Sequence, residues 1–128
     1  MLSRSLCLAG LFAVIGSAAN VVTLKGVIMD RNSAPEAKVR ILSSGIEGGM
    51  VVAEAHGRDA LLKPSAIRSG FGIYTRDDTF IAFDAEGNAK ALAAIRGSKR
   101  LDDFEAEVTG ELTGDTIKVI TIKLLPQE

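Results

Sequence analysis

The sequence predicts a small, mainly β fold of five strands with one short helix between the third and fourth strands. Three observations predict it: an opening run rich in β-branched residues, two aromatic runs around a polar turn, and a C-terminal pair of segments with apolar residues at alternate positions. One alanine-rich segment between the last two features supplies the helix. The predicted order of elements is therefore strand, long excursion, hairpin, helix and hairpin.

The first strand is predicted over residues 21–29, in which Val22, Leu24 and Ile28 share one face. Gly26 lies inside this run and indicates a bend or a bulge. The signals weaken in the excursion that follows. It is predicted to contain a turn at residues 32–35 and a short irregular hairpin formed by residues 39–42 and 50–53 around the glycines of residues 45–49.

The central hairpin is predicted over residues 71–75 and 80–83, which are aromatic and β-branched and enclose a polar turn. The alanine-rich stretch that follows predicts a helix of about three turns. Asp84 or Asn88 can cap its start, and Gly97 can end it.

The C-terminal hairpin carries the clearest pattern. Residues 104–112 alternate apolar and polar side chains, which predicts a half-buried strand with an acidic outer face. In the partner strand, residues 117–124, the apolar positions change parity. A single core face therefore requires a bulge near residues 119–120, which would bring Lys123 opposite Glu105.

This order of elements is that of a five-stranded Greek-key barrel of the OB type, in which a helix lies between the third and fourth strands. An OB-like barrel is therefore the predicted fold. A partly open α+β sheet with the helix on one face has the same order of elements and remains the alternative.

The N-terminus predicts export. Residues 1–19 combine one positive charge at Arg4, a short apolar run and small residues at Ser17 and Ala19, which are the three parts of a cleavable signal peptide. The alternative is an uncleaved membrane anchor, but the apolar run is shorter than the roughly 20 residues that span a bilayer. We expect a single periplasmic or secreted domain over residues 20–128, with no transmembrane segment after cleavage.

Composition excludes several chemistries from that domain. The single cysteine, Cys7, lies in the predicted signal peptide, so the mature domain has no thiol for catalysis, disulfides, zinc–thiolate sites or iron–sulfur clusters. The 15 basic residues nearly balance the 16 acidic ones, so nucleic acid is an unexpected partner. No cofactor is expected.

His56 is the only histidine and therefore the first candidate for chemistry. Together with Glu54 and Asp59 it offers one nitrogen and two oxygens to a metal, but no second histidine or thiolate completes a site. The alternative, which we favour because the ligand count is too low, is a histidine at the surface or packed in a turn. No nucleophile motif accompanies it, because the sequence contains no Gly-x-Ser-x-Gly.

The aromatic residues of the central hairpin offer a second candidate site. OB barrels often bind ligands on the face of their second and third strands, where Tyr74 and Phe80 would form a stacking platform. The basic residues expected near this platform are Lys63, Arg68 and Arg76. The alternative, which we favour, places these rings in the core, because the sequence has only one Tyr and five Phe. His56, Tyr74 and Arg76 are thus the candidate ligand-binding residues.

Four segments resemble a group of small exported bacterial OB-fold-like proteins of unknown function. They read VTLKG at 22–26, HGRDALLKPSAIRSGFGI at 56–73, FDAEGNAKAL at 83–92 and GDTIKVITIKL at 114–124. Typical members carry cysteines where this chain has Ala60 and Ala66, and often others near residues 32–33, so this chain resembles a cysteine-free variant. The resemblance implies a barrel and export, but names no ligand.

The functional hypothesis is an exported, non-catalytic binding or interaction module for an unknown small molecule or an envelope protein. One alternative is a metal-binding protein or metal-dependent enzyme that uses His56, which predicts that His56, Glu54 and Asp59 converge in a pocket. Another is a structural protein associated with the cell envelope, which predicts an exposed apolar patch or an unpaired edge strand.

Overall fold

A computed structural model of the chain describes residues 20–38 and 48–127. The prediction of a small, mainly β fold is confirmed as an α+β arrangement of five strands and several short helices. The expected signal peptide and the expected strand at residues 39–42 lie outside the described residues. The strands are β1 Val21–Asp30, β2 Phe71–Thr75, β3 Phe80–Phe83, β4 Glu105–Thr113 and β5 Thr116–Leu124. The helices are α1 Gly48–Ala55, α2 Arg58–Leu61, α3 Pro64–Ser69 and α4 Ala85–Gly97, and residues 34–38 form a further helical segment.

The strands follow one another in the order β1-β2-β3-β5-β4, and β4 pairs in turn with β1. All of these pairings are antiparallel except that of β3 with β5, which is parallel and joins only two residue pairs. Two further backbone hydrogen bonds extend the parallel contact. The Ala82 amide donates to the Asp115 carbonyl at 2.9 Å, and the Asp84 amide donates to the Ile117 carbonyl at 3.1 Å.

Gly26 lies where the pairing of β1 with β4 on one side overlaps its pairing with β2 on the other. Residues 21–27 of β1 pair with β4, and residues 26–30 pair with β2, so Gly26 pairs on both sides at once. A Cβ atom at Gly26 would collide with the carbonyl oxygen of Tyr74. The register shows no bulge at Gly26; the glycine allows the close approach of two backbones.

The central hairpin and α4 lie where the sequence predicts them. Asp84 rather than Asn88 caps α4, and Gly97 is its last residue. The predicted bulge in the C-terminal hairpin is also confirmed, because Thr109 faces Thr121 while Gly110 faces Val119, which leaves Ile120 as the extra residue.

The predicted partner of Lys123 is wrong: Lys123 faces Glu107, not Glu105. The hairpin closes on the pair Thr113–Thr116, and the single bulged residue shifts the register by one position beyond it. With the same bulge, a pairing of Lys123 with Glu105 would need the two-residue turn to lie one residue earlier in the chain.

The excursion between β1 and β2 differs most from the prediction. Residues 50–53, predicted as a strand, lie in α1, and two more short helices follow before β2. The expected single helix is therefore one of several. Met50 and Ala53 are spaced three residues apart and are both buried, so helical spacing gives α1 an apolar face that a strand would have split between two faces.

Two clusters of buried side chains form the interior. The main cluster lies between the strands and α4 and includes Ile28, Ile73, Phe83 and Phe104. The second cluster joins β1 and β2 to α1 and the helical segment 34–38. Its buried members are Val27, Met29, Ala37, Met50, Ala53 and Tyr74. Because neighbouring strand residues point to opposite faces, the excursion covers the outer face of β1 and β2.

Among the residues that the structure describes, no helix is long and apolar enough to span a membrane.

Candidate functional site

His56 pairs with an aspartate that the sequence analysis did not single out. It lies in the turn between α1 and α2, and its Nε2 atom is 2.8 Å from Oδ1 of Asp30, the last residue of β1. Asp30 is only 2% exposed, and the His56 side chain is 17% exposed. The pair therefore ties the excursion to the end of the first strand.

Ser33 completes the surroundings of Asp30. Both the backbone amide and the hydroxyl of Ser33 lie 3.2 Å from Oδ2 of Asp30, so both carboxylate oxygens accept hydrogen bonds. Burial raises the pKa of Asp30, but the hydrogen bonds from His56 and Ser33 and the charge of His56 outweigh it and hold this pKa below its ordinary value.

This geometry fixes the roles of the two ring nitrogens of His56. An ionised carboxylate only accepts hydrogen bonds, so Nε2 carries the proton that faces Asp30. In the neutral ring, Nδ1 is then the nitrogen with the lone pair. The Ser33 hydroxyl contacts Asp30 and not His56, so the three side chains do not form the nucleophile–base–acid order of a hydrolase triad.

The residues expected to join His56 at a metal are not gathered around it. Asp59 is exposed in the first turn of α2, and Glu54 lies in α1, where its carbonyl accepts a hydrogen bond from the Asp103 amide at 2.7 Å. Within residues 20–38 and 48–127, no group of three or more His, Cys, Asp or Glu side chains is placed to hold a metal ion.

The three candidate ligand-binding residues line three different depressions. His56 lines a groove of about 510 Å³, the His56 groove, with Glu36, Val51, Val52 and Ala55. Arg76 is exposed in the β2–β3 turn and lines a pocket of about 200 Å³ with Lys25, Gly26, Met50 and Glu105. Tyr74 belongs to a third depression on the outer face of β2 and β3.

That third depression, the Phe80 cleft, has a volume of about 520 Å³ and the most apolar lining of the three. Four parts of the chain meet there: the turn after β1, the helical segment 34–38, the β2–β3 hairpin and the β4–β5 turn. The cleft is lined by Arg31, Ala34, Pro35, Lys38, Tyr74, Thr79, Phe80 and Asp115.

Tyr74 forms the floor of the Phe80 cleft. Its side chain is fully buried in the second cluster, and its hydroxyl donates a hydrogen bond to Oδ1 of Asp78. Burial and the neighbouring Asp78 carboxylate both raise the pKa of Tyr74. The favoured expectation that this ring belongs to the core matches its position. Phe80 pairs with Tyr74 across β2 and β3 and is only partly buried, so part of its ring faces the cleft.

Arg31 is held in place at the edge of the Phe80 cleft. Its Nη2 atom donates a hydrogen bond to the Phe83 carbonyl at 2.9 Å, and its backbone amide donates to the Gly70 carbonyl at 2.9 Å. Arg31 is itself exposed, as are Lys38 and Asp115, the other charged residues among the described residues of the lining. The cleft thus carries two basic groups and one acidic group around a partly exposed aromatic ring.

Sequence reasoning missed Asp30, Arg31 and Lys38. The sequence did hold a sign for Asp30. It lies two residues after the buried Ile28 and therefore on the same face of β1, where a buried carboxylate requires a partner. Arg31 and Lys38 carried no such signal, because their position depends on how the excursion packs against β2 and β3.

Comparison of the chain with models of known protein families, with curated proteins and with solved structures finds no match. The function must therefore be argued from the site itself.

Proposed function

We propose that this chain is an exported, non-catalytic binding module built as an OB-type barrel, with the Phe80 cleft as its ligand site. The strand order β1-β2-β3-β5-β4 with the return pairing of β4 to β1, the parallel contact of β3 with β5, and the position of α4 between β3 and β4 all support this topology. The signal-like composition of residues 1–19 supports export to the periplasm or the medium.

One observation carries the assignment of the site. In OB barrels, ligands bind on the face of strands two and three, between the loop that joins strands one and two and the loop that joins strands four and five. The Phe80 cleft has these walls: Arg31 and Lys38 come from the first loop, Phe80 from β3, and Asp115 from the β4–β5 turn.

The lining of the Phe80 cleft favours binding over catalysis. Among the described residues of the lining, the hydroxyl groups are those of Thr79 and Tyr74, and the Tyr74 hydroxyl donates to Asp78. No histidine is among these residues to activate either hydroxyl, and their single carboxylate, Asp115, is exposed. An aromatic ring with charged groups at the edge is suited to hold and orient a ligand.

The site is tested by NMR. The amide resonances of the purified protein are followed while a library of small aromatic and aliphatic fragments is added, and the shifted residues are mapped. We expect Thr79, Phe80 and Asp115 to shift most. Largest shifts at the His56 groove or at the pocket of Arg76 would contradict the assignment.

A matched pair of variants controls for loss of apolar surface. Phe80→Ser removes the ring from the cleft, whereas Ile120→Ser removes an apolar side chain that is 51% exposed on β5. We expect the first to abolish fragment binding and the second to preserve it. Melting temperatures establish that both variants are folded, and equal binding by both would refute the site.

Export has its own test. The intact mass of the protein recovered from the periplasm or the medium should correspond to a chain that begins at Asn20. A mass that includes residues 1–19 would contradict cleavage of the signal peptide, and retention of the protein in the cytoplasm would contradict export.

A further inference from the structure

We infer that the Phe80 cleft takes a small anion: a molecule with a carboxylate or phosphate group attached to a flat apolar body. The inference rests on the proposed function, because it names the ligand class of the same site. Three observations support the inference: the charges at the edge of the cleft, the fixed position of Arg31 and the exposed part of the Phe80 ring.

Arg31 supplies the most specific element. The hydrogen bond from its Nη2 atom to the Phe83 carbonyl holds the guanidinium in place before any ligand arrives. The guanidinium has five N–H donors, and this bond uses one of them. A planar fork of this kind matches the two oxygens of a carboxylate or phosphate, and a fixed fork loses less entropy on binding.

Lys38 lies on the helical segment 34–38 and lines the same cleft as Arg31. Its ammonium group is a mobile point charge, so it adds attraction for an anion without dictating geometry. Asp115 opposes the two cations with one negative charge, which leaves the described residues of the lining with one net positive charge. A monoanion balances this lining best.

The apolar part of the ligand is set by Phe80 and Pro35. A Cβ atom at Gly72 would collide with Cζ and Cε1 of Phe80, so this edge of the ring lies over the glycine. Pro35 is exposed and lines the cleft with Phe80. Flat molecules stack well on such a surface. The volume of about 520 Å³ corresponds to one small molecule rather than a long polymer.

The test uses four probes that share one ring: benzoate, phenyl phosphate, benzyl alcohol and benzylamine. Each is titrated into the purified protein to millimolar concentration, and the Thr79 and Phe80 amides report binding. We expect the two anions to bind, the neutral alcohol to bind more weakly, and the amine to bind least. The comparison of benzoate with phenyl phosphate distinguishes the two anionic groups.

Charge variants test the same inference within the protein. Lys38→Gln should weaken binding of the better anion about threefold, and Asp115→Asn should strengthen it by a similar factor. Lys63→Gln changes the net charge as Lys38→Gln does but lies outside the cleft, between α2 and α3, so it should leave binding unchanged. Added salt should weaken anion binding.

The outcomes separate the two proposals. Equal or stronger binding of the alcohol or the amine at Thr79 and Phe80 would overturn the anionic class and keep the cleft as the ligand site. An effect of Lys63→Gln equal to that of Lys38→Gln would also overturn the anionic class. Failure of every probe, together with failure of the fragment library, would overturn the site itself.

Discussion

Asp84 connects the helix α4 to the last strand, and its replacement should be costly. Its Oδ1 atom accepts hydrogen bonds from the Gly87 amide at 3.0 Å, which caps α4, and from the Val119 amide at 3.1 Å, beside the bulge at Ile120. Loss of a capping side chain costs about 1 kcal/mol. An unpaired amide at Val119, a residue only 4% exposed, costs a further 1–3 kcal/mol or so.

We therefore expect Asp84→Ala to lower the free energy of unfolding by about 2–4 kcal/mol. Asp84→Asn retains an acceptor oxygen and should cost less than about 1 kcal/mol. Asp59→Ala, which removes an exposed carboxylate in α2, is the control and should change stability by less than about 0.5 kcal/mol. Urea denaturation measures all three. The reasoning is refuted if Asp84→Ala is as stable as the control, or if the alanine and asparagine variants are equally damaged.

Three further substitutions probe the second cluster and the Asp30 pair. The pKa of Asp30 is lowered in the fold, so its stabilisation is complete above the ordinary value of 3.8 and is lost as the pH falls through the folded value. His56→Ala should lower the free energy of unfolding by about 2 kcal/mol at neutral pH. As the pH falls through the acid range, the melting temperatures of the variant and the parent should converge; a constant difference between them would contradict this. Gly49→Ala should lower the free energy of unfolding by about 1–3 kcal/mol, because the new Cβ atom would collide with the Tyr74 hydroxyl. Amide hydrogen exchange in α1 should accelerate in this variant, and an unchanged exchange rate would contradict the packing of α1 on Tyr74. Tyr74→Phe should cost about 1–2 kcal/mol in urea denaturation, since it removes the hydrogen bond to Asp78, and a neutral result would contradict that bond.

The parts of the fold that could be predicted are those in which one strand face is buried and the other is not. The β4–β5 hairpin is the best case, because the change of parity in its second strand required a bulge, and Ile120 is the extra residue. The central hairpin was predicted differently, from aromatic and β-branched residues around a polar turn, and Asp84 was one of two residues offered as the cap of α4. These features depend on residues that are close together in the chain.

The excursion could not be predicted in this way, because its helices pack on the outer face of β1 and β2. One sign was present in the sequence: Val27, Ile28 and Met29 are consecutive and all fully buried, so this part of β1 is covered on both faces. A continuous apolar run in an otherwise alternating strand indicates a second layer. The residues that form that layer cannot be identified from periodicity alone.

The candidate site shows the same limit. His56 was singled out as a candidate for chemistry, and the partners considered for it, Glu54 and Asp59, were its neighbours in sequence. Its partner is Asp30, 26 positions earlier, which the α1–α2 turn brings close. The Phe80 cleft likewise joins parts of the chain from residue 31 to residue 115.

The most direct test of the Phe80 cleft as an anion site is an NMR titration of the purified protein with benzoate and phenyl phosphate. We expect saturable shifts centred on Thr79, Phe80 and Asp115, which weaken in Lys38→Gln and are absent in Phe80→Ser. Shifts centred on the His56 groove, or no saturable shift with either anion, would contradict it.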